Sequence, residues 1–261
     1  MASFLASFTG MDLPDWAWWV VLLAGSGTGI AKTAVPGGGI LVVAALALAV
    51  PSRMSVGILL PILLFGDLFA LWRFRKYADR RRLLLLFPPA LLGLGAGYAI
   101  LGRVNDAQLR PVIGAVVLSM AALQQLSRAI KKKREGNGAD CQGKAGPAAT
   151  LVFGFFSGMG TGMANSSGPV LSLYLLMAEL PKVQFIATSA WFFFAMNLLK
   201  VPLFMGLGLL SAASLRVSLL MVPSVAAGAV LGYWMVPRIS QERFNQLVFL
   251  LALAAAIRLL V

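Results

Sequence analysis

Four polar side chains sit where an apolar chain can least accommodate them. Lys32 follows an apolar run and precedes a glycine cluster. Asp67 and Asn197 lie within two long apolar segments, and Lys200 comes one helical turn after Asn197. Such a residue is costly inside a membrane unless it reaches the interface, a partner or a watery cavity, so intramembrane charges mark substrate or ion pathways. Lys32 could neutralise an anionic substrate, snorkel to the surface or pair with Asp67. Asp67 could carry a proton as a coupling residue, pair with Lys32 or coordinate a cation. Two lysines against one aspartate leave one positive charge, which favours an anion over a cation.

Lys32 belongs to a Gly-rich motif that occurs twice, 133 residues apart: Gly25-Ser26-Gly27-Thr28-Gly29-Ile30-Ala31-Lys32-Thr33 and Gly158-Met159-Gly160-Thr161-Gly162-Met163-Ala164-Asn165-Ser166, identical at five of nine positions. Each copy interrupts an apolar stretch with small and polar residues. Interrupted segments at matching places in two halves point to a transporter's binding site. Pro36-Gly37-Gly38-Gly39 follows the first copy, and Ser167-Gly168-Pro169 follows the second. Proline suits the first turn of a helix. New helices are therefore expected to start there, with free N–H groups and partial positive charge of the kind that captures anions. The substrate-binding candidates are Thr28, Lys32, Thr33, Gly37, Gly38 and Gly39 in the first half. In the second half they are Asn165, Ser166, Ser167, Gly168, Asn197 and Lys200; Asp67 is the coupling candidate. Thr161, Thr188 and Ser189 are further possible donors. The bland alternative is that the small residues let helices pack closely and that the hydroxyls bond their own helix backbone. Lys32 and Asn165 favour a lining role, because packing does not require them.

The first motif is not a nucleotide-binding loop, since Ala31 stands where that loop needs glycine before its lysine. No metal-ligand spacing, nucleophile–base pair or carboxylate pair stands out, so neither an enzyme nor a cofactor is expected.

The elements that must position these residues are apolar. Hydrophobic residues form 59% of the 261 and charged ones 12%, about half the charge of a soluble domain. Ten apolar segments are expected to be helical: 16–33, 37–51, 54–73, 83–101 and 108–127, then 148–163, 168–179, 183–204, 214–235 and 243–260. The fold expected is an all-α polytopic membrane protein. It divides into an N-terminal tail (1–15), a first repeat (16–127), a basic cytoplasmic linker (128–147) and a second repeat (148–261). The first two segments of each half are short, and are expected to be broken or re-entrant.

Matches between the halves keep their order: Pro51 with Pro181 and Asp67 with Asn197 at 130 residues, then Pro88 with Pro223, Gly93 with Gly228, Gly97 with Gly232, Tyr98 with Tyr233 and Arg103 with Arg238 at 135. The loop at 73–82 holds six basic residues, while its counterpart near 203–214 holds none. Cytoplasmic loops carry the Lys/Arg excess, which makes the repeats inverted, with both termini outside. Arg103 and Arg110 then fall outside, at a modest cost to that topology. The net charge of +13 concentrates in 73–82 and 128–144, between apolar segments. It therefore speaks for loops beside a lipid bilayer and against nucleic acid; holding anionic lipid is a secondary possibility. Cys141 is the lone cysteine and histidine is absent. Trp16, Trp18 and Trp19 read as an interfacial anchor for the first span, and the first fifteen residues lack a signal peptide's basic start.

The two Gly motifs, Gly168-Pro169 before an apolar run, the Asn197-to-Lys200 stretch and the repeated Pro88…Gly93…Gly97-Tyr98 pattern together make the chain resemble the sulfite exporter TauE/SafE family over about residues 16–260. The resemblance implies a multi-pass protein of the cytoplasmic membrane. It implies secondary transport of a small sulfur-containing anion such as sulfite, sulfoacetate or a sulfonate, more as exporter than importer, with alternating access and possible proton coupling. The alternatives are a carrier of another small anion or of a metal cation, and a non-catalytic membrane accessory subunit.

Overall fold

A computed structural model describes residues 7–34 except 12, 39–115 except 106 and 110, the isolated positions 118, 119 and 122, and residues 146–178 and 180–235. Among these residues there are no strands, and the helices are α1 (Asp15–Ala34), α2 (Gly39–Ala49), α3 (Ser52–Phe74), α4 (Arg80–Arg103), α5 (Pro147–Ala164), α6 (Gly168–Met177), α7 (Lys182–Gly206) and α8 (Ala212–Met235), with a 3-10 turn at Arg75–Tyr77. Half of the expected segment 108–127, nearly all of the linker 128–147, and the segment 243–260 lie outside the described residues.

Local chemistry sets the boundaries. Pro51 and Pro181 precede α3 and α7 with nearly the same backbone angles, φ −50° and −53°. The Asp79 side chain accepts from the Arg82 N–H at 3.1 Å and caps α4. Pro147 opens α5 at the position where its missing N–H costs nothing.

Among the described residues, four helical stretches are long and apolar enough to cross a membrane: Ser52–Trp72, Arg80–Arg103, Val183–Gly206 and Ala212–Gly232. The first is the most enclosed, with 61% of its apolar window buried against 39% in the others, so α3 lies nearest the centre. The outer surface is itself apolar, with Trp72, Leu84, Leu92, Leu151 and Val230 exposed. Exposed apolar surface on that scale marks contact with something other than water. Trp16 and Trp19 are exposed as an anchor would be, but Trp18 is fully buried; it faces the core because it shares a helix side with Val21, not with Trp19.

Of the two segments expected to be short in each half, only the second is: α2 has 11 residues and α6 has 10, whereas α1 has 20 and α5 has 18. At 1.5 Å per residue α2 and α6 each cover about 15–17 Å, roughly half the hydrocarbon thickness. The glycine motifs do not break their helices. α1 runs unbroken through Gly25–Thr33, and α5 through Gly158–Ala164. The break in the second half comes only at the motif's last two residues, where Asn165 adopts φ 52° after the glycines have passed, and α6 restarts at Gly168.

Packing follows from those glycines. The most extensive contacts join α4 to α5 and α8 to α1, and α3 lies against α7. A Cβ on Gly93 would overlap the Phe155 carbonyl, and one on Gly158 the Ala90 carbonyl. A Cβ on Gly29 would overlap the Val225 carbonyl, and one on Gly228 the Ser26 carbonyl. Both helix pairs therefore depend on missing side chains for their approach, the usual means of helix association where lipid removes the hydrophobic drive. Among the described residues three apolar clusters result: one is built mainly from α1, α2, α3 and α8, a second from α4, α6 and α7, and a small third from Ala70, Leu71 and Ala190 between α3 and α7.

Candidate functional site

The polar residues of the interior gather where α1, α3, α5 and α7 meet. Lys32, near the end of α1, makes an ion pair with the fully buried Asp67 of α3. Room for it comes from Gly66, whose added Cβ would stand 3.0 Å from Lys32 Cγ. The Lys32 ammonium also lies 4.7 Å from the Phe193 ring centroid, a cation–π distance. The second Asp67 oxygen accepts from Asn197 Nδ2 on α7 at 2.7 Å. Both carboxylate oxygens are thus engaged, one of them by a charge.

Lys200, one turn beyond Asn197, is 0% exposed. Its ammonium donates to Thr161 Oγ1 at 2.9 Å, to the Thr161 carbonyl at 3.3 Å and to Asn165 Oδ1. All three acceptors are neutral. Hydrogen bonds satisfy the donors but leave the charge unbalanced, and a buried charge without an opposite one is expensive. Asn165 Nδ2 in turn donates to the Val56 carbonyl of α3 at 2.9 Å. The Asn165 side chain therefore ties α5 to both α3 and α7 at the point where α5 ends. Asparagine is suited to that end because it tolerates the left-handed backbone better than most residues.

Several buried side-chain atoms have no hydrogen-bond partner among the described residues. Five buried side-chain atoms are in this condition: Trp18 Nε1, Ser157 Oγ, Ser166 Oγ, Ser167 Oγ and Asn197 Oδ1. Four of the five lie within about a turn, along the chain, of Lys200 or of the Thr161 and Asn165 that bond it. Ser157 is one turn before Thr161 on α5, Ser166 and Ser167 link Asn165 to the start of α6, and Asn197 is one turn before Lys200. Buried orphans are rare, and a cluster of them calls for an unbound partner or a functional role. The free N–H groups at the start of α6 add donors to the same place.

The sequence-derived candidates therefore separate by half. Asn165, Ser166, Ser167, Gly168, Asn197 and Lys200 fall together. Lys32 reaches Asp67. Thr28 and Thr33 spend their hydroxyls on their own helix, donating at 2.9 Å to the carbonyls of Ala24 and Gly29. Gly37 and Gly38 lie outside the described residues, and Gly39 opens α2 with nothing near the place of a Cβ. Thr188 accepts from the Asp79 N–H at 3.0 Å, far along α7 from Lys200. Ser157 was not among the candidates; its signal is the four-residue spacing 157, 161, 165, which places Ser157, Thr161 and Asn165 on one face of a helix.

The family model described as Sulfite exporter TauE/SafE matches residues 20–259. No curated protein and no solved structure matches the chain.

Proposed function

The chain belongs to the sulfite exporter TauE/SafE family and is thus a membrane transporter of the sulfite exporter type, and we propose that it exports a small sulfur-containing oxyanion by alternating access around Lys200. The observation that carries this reading is the fully buried ammonium with only neutral acceptors, Thr161 and Asn165, together with the unpartnered hydroxyls of Ser157, Ser166 and Ser167 close to those two residues in the chain. A sulfite, sulfoacetate or sulfonate oxygen would balance the charge and accept from the hydroxyls. The α6 N-terminus adds partial positive charge at the same place. A metal cation fits less well, because both Asp67 oxygens already accept hydrogen bonds.

The two halves are read as inverted repeats with both termini outside the cytoplasmic membrane. The packing supports this. The first helix of each half lies against the fourth helix of the other, α1 on α8 and α5 on α4. Asp67 bonds Asn197, its counterpart by position after Pro51 and Pro181, as equivalent residues do when a two-fold axis passes between them. Asp67 is the proposed coupling residue: a proton on it would release Lys32.

Proteoliposomes loaded with sulfite, sulfoacetate or methanesulfonate test the reading. Saturable efflux that disappears in Lys200→Met supports it. A folded, reconstituted protein that moves none of these anions overturns it.

A further inference from the structure

We infer that the Lys200 site admits a singly charged oxyanion head in preference to a doubly charged one, and that Asp67 sets this limit by cancelling Lys32. This rests on the proposed anion site and adds its charge class.

Three charged side chains meet in the described interior of this region. Lys32 and Asp67 form a closed pair. Lys200 faces Thr161 and Asn165, which carry no charge. Asn197, one turn before Lys200 on α7, donates to Asp67 at 2.7 Å, and Asp67 holds Lys32, so the three act as one set with a single unbalanced positive charge. A singly charged head makes the set neutral. A doubly charged head leaves one negative charge unmatched in a region where opposite charges, not water, must compensate it.

The remaining contacts are indifferent to the second charge. Ser157, Ser166 and Ser167 can donate to any tetrahedral or pyramidal oxyanion. Asn197 brings no charge to match a second negative one: one of its amide N–H groups donates to Asp67, and its unpartnered atom is the acceptor Oδ1. An oxygen acceptor beside the site suits a head that brings a hydroxyl or a protonated oxygen. Discrimination by charge number is therefore built into the pairing of Lys32, not into the shape of the hydroxyl cluster.

The test is a thermal-shift titration of the purified full-length protein at fixed ionic strength, with sodium methanesulfonate as the singly charged probe and sodium sulfate as the doubly charged one. The wild type is expected to bind methanesulfonate more tightly, by at least about tenfold. Asp67→Asn frees the Lys32 charge and is expected to shift that ratio toward sulfate by a similar factor. If Asp67→Asn does not fold, Lys32→Met/Asp67→Asn removes both charges together and is expected to keep methanesulfonate ahead of sulfate. Equal binding of the two anions by the wild type, an unchanged ratio in a folded Asp67→Asn, or a lost preference in the double variant overturns the charge limit while leaving the anion site in place. No shift with either anion removes the site and the limit together.

Discussion

Replacing Lys200 with methionine separates its proposed role in binding from any role in folding. Methionine keeps most of the length and the apolar stem, so the space that the lysine stem fills stays filled. Three donor contacts disappear, those to Thr161 Oγ1, the Thr161 carbonyl and Asn165 Oδ1. Leaving a buried acceptor unpaired costs about 1–3 kcal/mol. Against this, removing a buried ammonium that has no carboxylate relieves a desolvation penalty of several kcal/mol. These effects oppose each other, and the net change in stability is expected within about 2 kcal/mol of zero. Binding has no such offset. A hydrogen bond to a charged partner contributes about 1.5–3 kcal/mol, and the charge balance for the anion is lost with it. A loss near 3 kcal/mol corresponds to roughly a hundredfold in affinity. The assay is calorimetric or thermal-shift binding of methanesulfonate, with the melting temperature of the unliganded protein as control. A Lys200→Met protein that melts normally and binds within twofold of wild type would refute the assignment of the site to this lysine.

Lys32→Met should behave in the opposite way. It strands the Asp67 carboxylate inside the protein, with an expected loss of about 3–5 kcal/mol of stability, and Lys32→Met/Asp67→Asn should recover most of it; a stable single variant shows that the ion pair is dispensable. Gly93→Val and Gly228→Val, which collide with the Phe155 and Ser26 carbonyls respectively, should each lower the melting temperature in detergent by separating α4 from α5 and α8 from α1, whereas Gly95→Val, with open space at its Cβ, should not. Asn165→Gly should fold better than Asn165→Ala by about 1 kcal/mol, since the left-handed backbone costs alanine and not glycine, yet both should lose anion affinity; equal stability would mean that the turn is not held as described. In a Cys141→Ser background, a cysteine at Arg80 should label only from the cytoplasm and one at Ser211 only from outside; labelling of both from one side disproves the inverted orientation.

Much of the helical plan was legible from sequence because membrane spans follow from long apolar runs ended by proline or charge. The stretch 148–163 corresponds to α5 at 147–164, and 183–204 to α7 at 182–206, with Pro147 and Pro181 marking their starts. The short second segments were visible for the same reason. What the sequence left undecided was the direction in which small residues face. Gly29 and Gly158 read as a watery lining in preference to helix contacts, although both uses need a missing Cβ. Only the positions of α8 and α4 decide between them, and these glycines press on backbone. The fate of each hydroxyl was hidden for a related reason. Thr28 and Thr161 occupy the same place in the two motifs, yet one bonds the carbonyl of Ala24 and the other accepts from Lys200. That difference depends on whether a lysine arrives from another helix, 39 residues away in the chain. The partner of Lys32 was one of three alternatives, because a charge pattern within an apolar run does not say which helices touch.

The spacing of the two polar pairs explains why the halves would divide their labour. Lys32 and Asp67 are 35 residues apart, and so are Asn165 and Lys200. In each half a residue at the end of the motif-bearing helix reaches one in the middle of the next long helix. The chemistry is not repeated with the geometry. In the first half the long helix contributes the acid and the motif contributes the base, so the pair neutralises itself. In the second half the long helix contributes the base and the motif contributes only an amide, so the charge has no internal answer. Asp67 is already committed to Lys32 and Asn197 and cannot serve Lys200 without abandoning them. A symmetric pair of ion pairs would be a stable scaffold with nothing to bind. Substituting an amide for a charge on one side converts the same framework into one that an anion completes, and a single substitution, Asn165→Asp, should close it again by giving Lys200 a carboxylate of its own. That variant is expected to fold at least as well as wild type and to lose methanesulfonate binding; undiminished binding would mean that the anion does not answer the Lys200 charge.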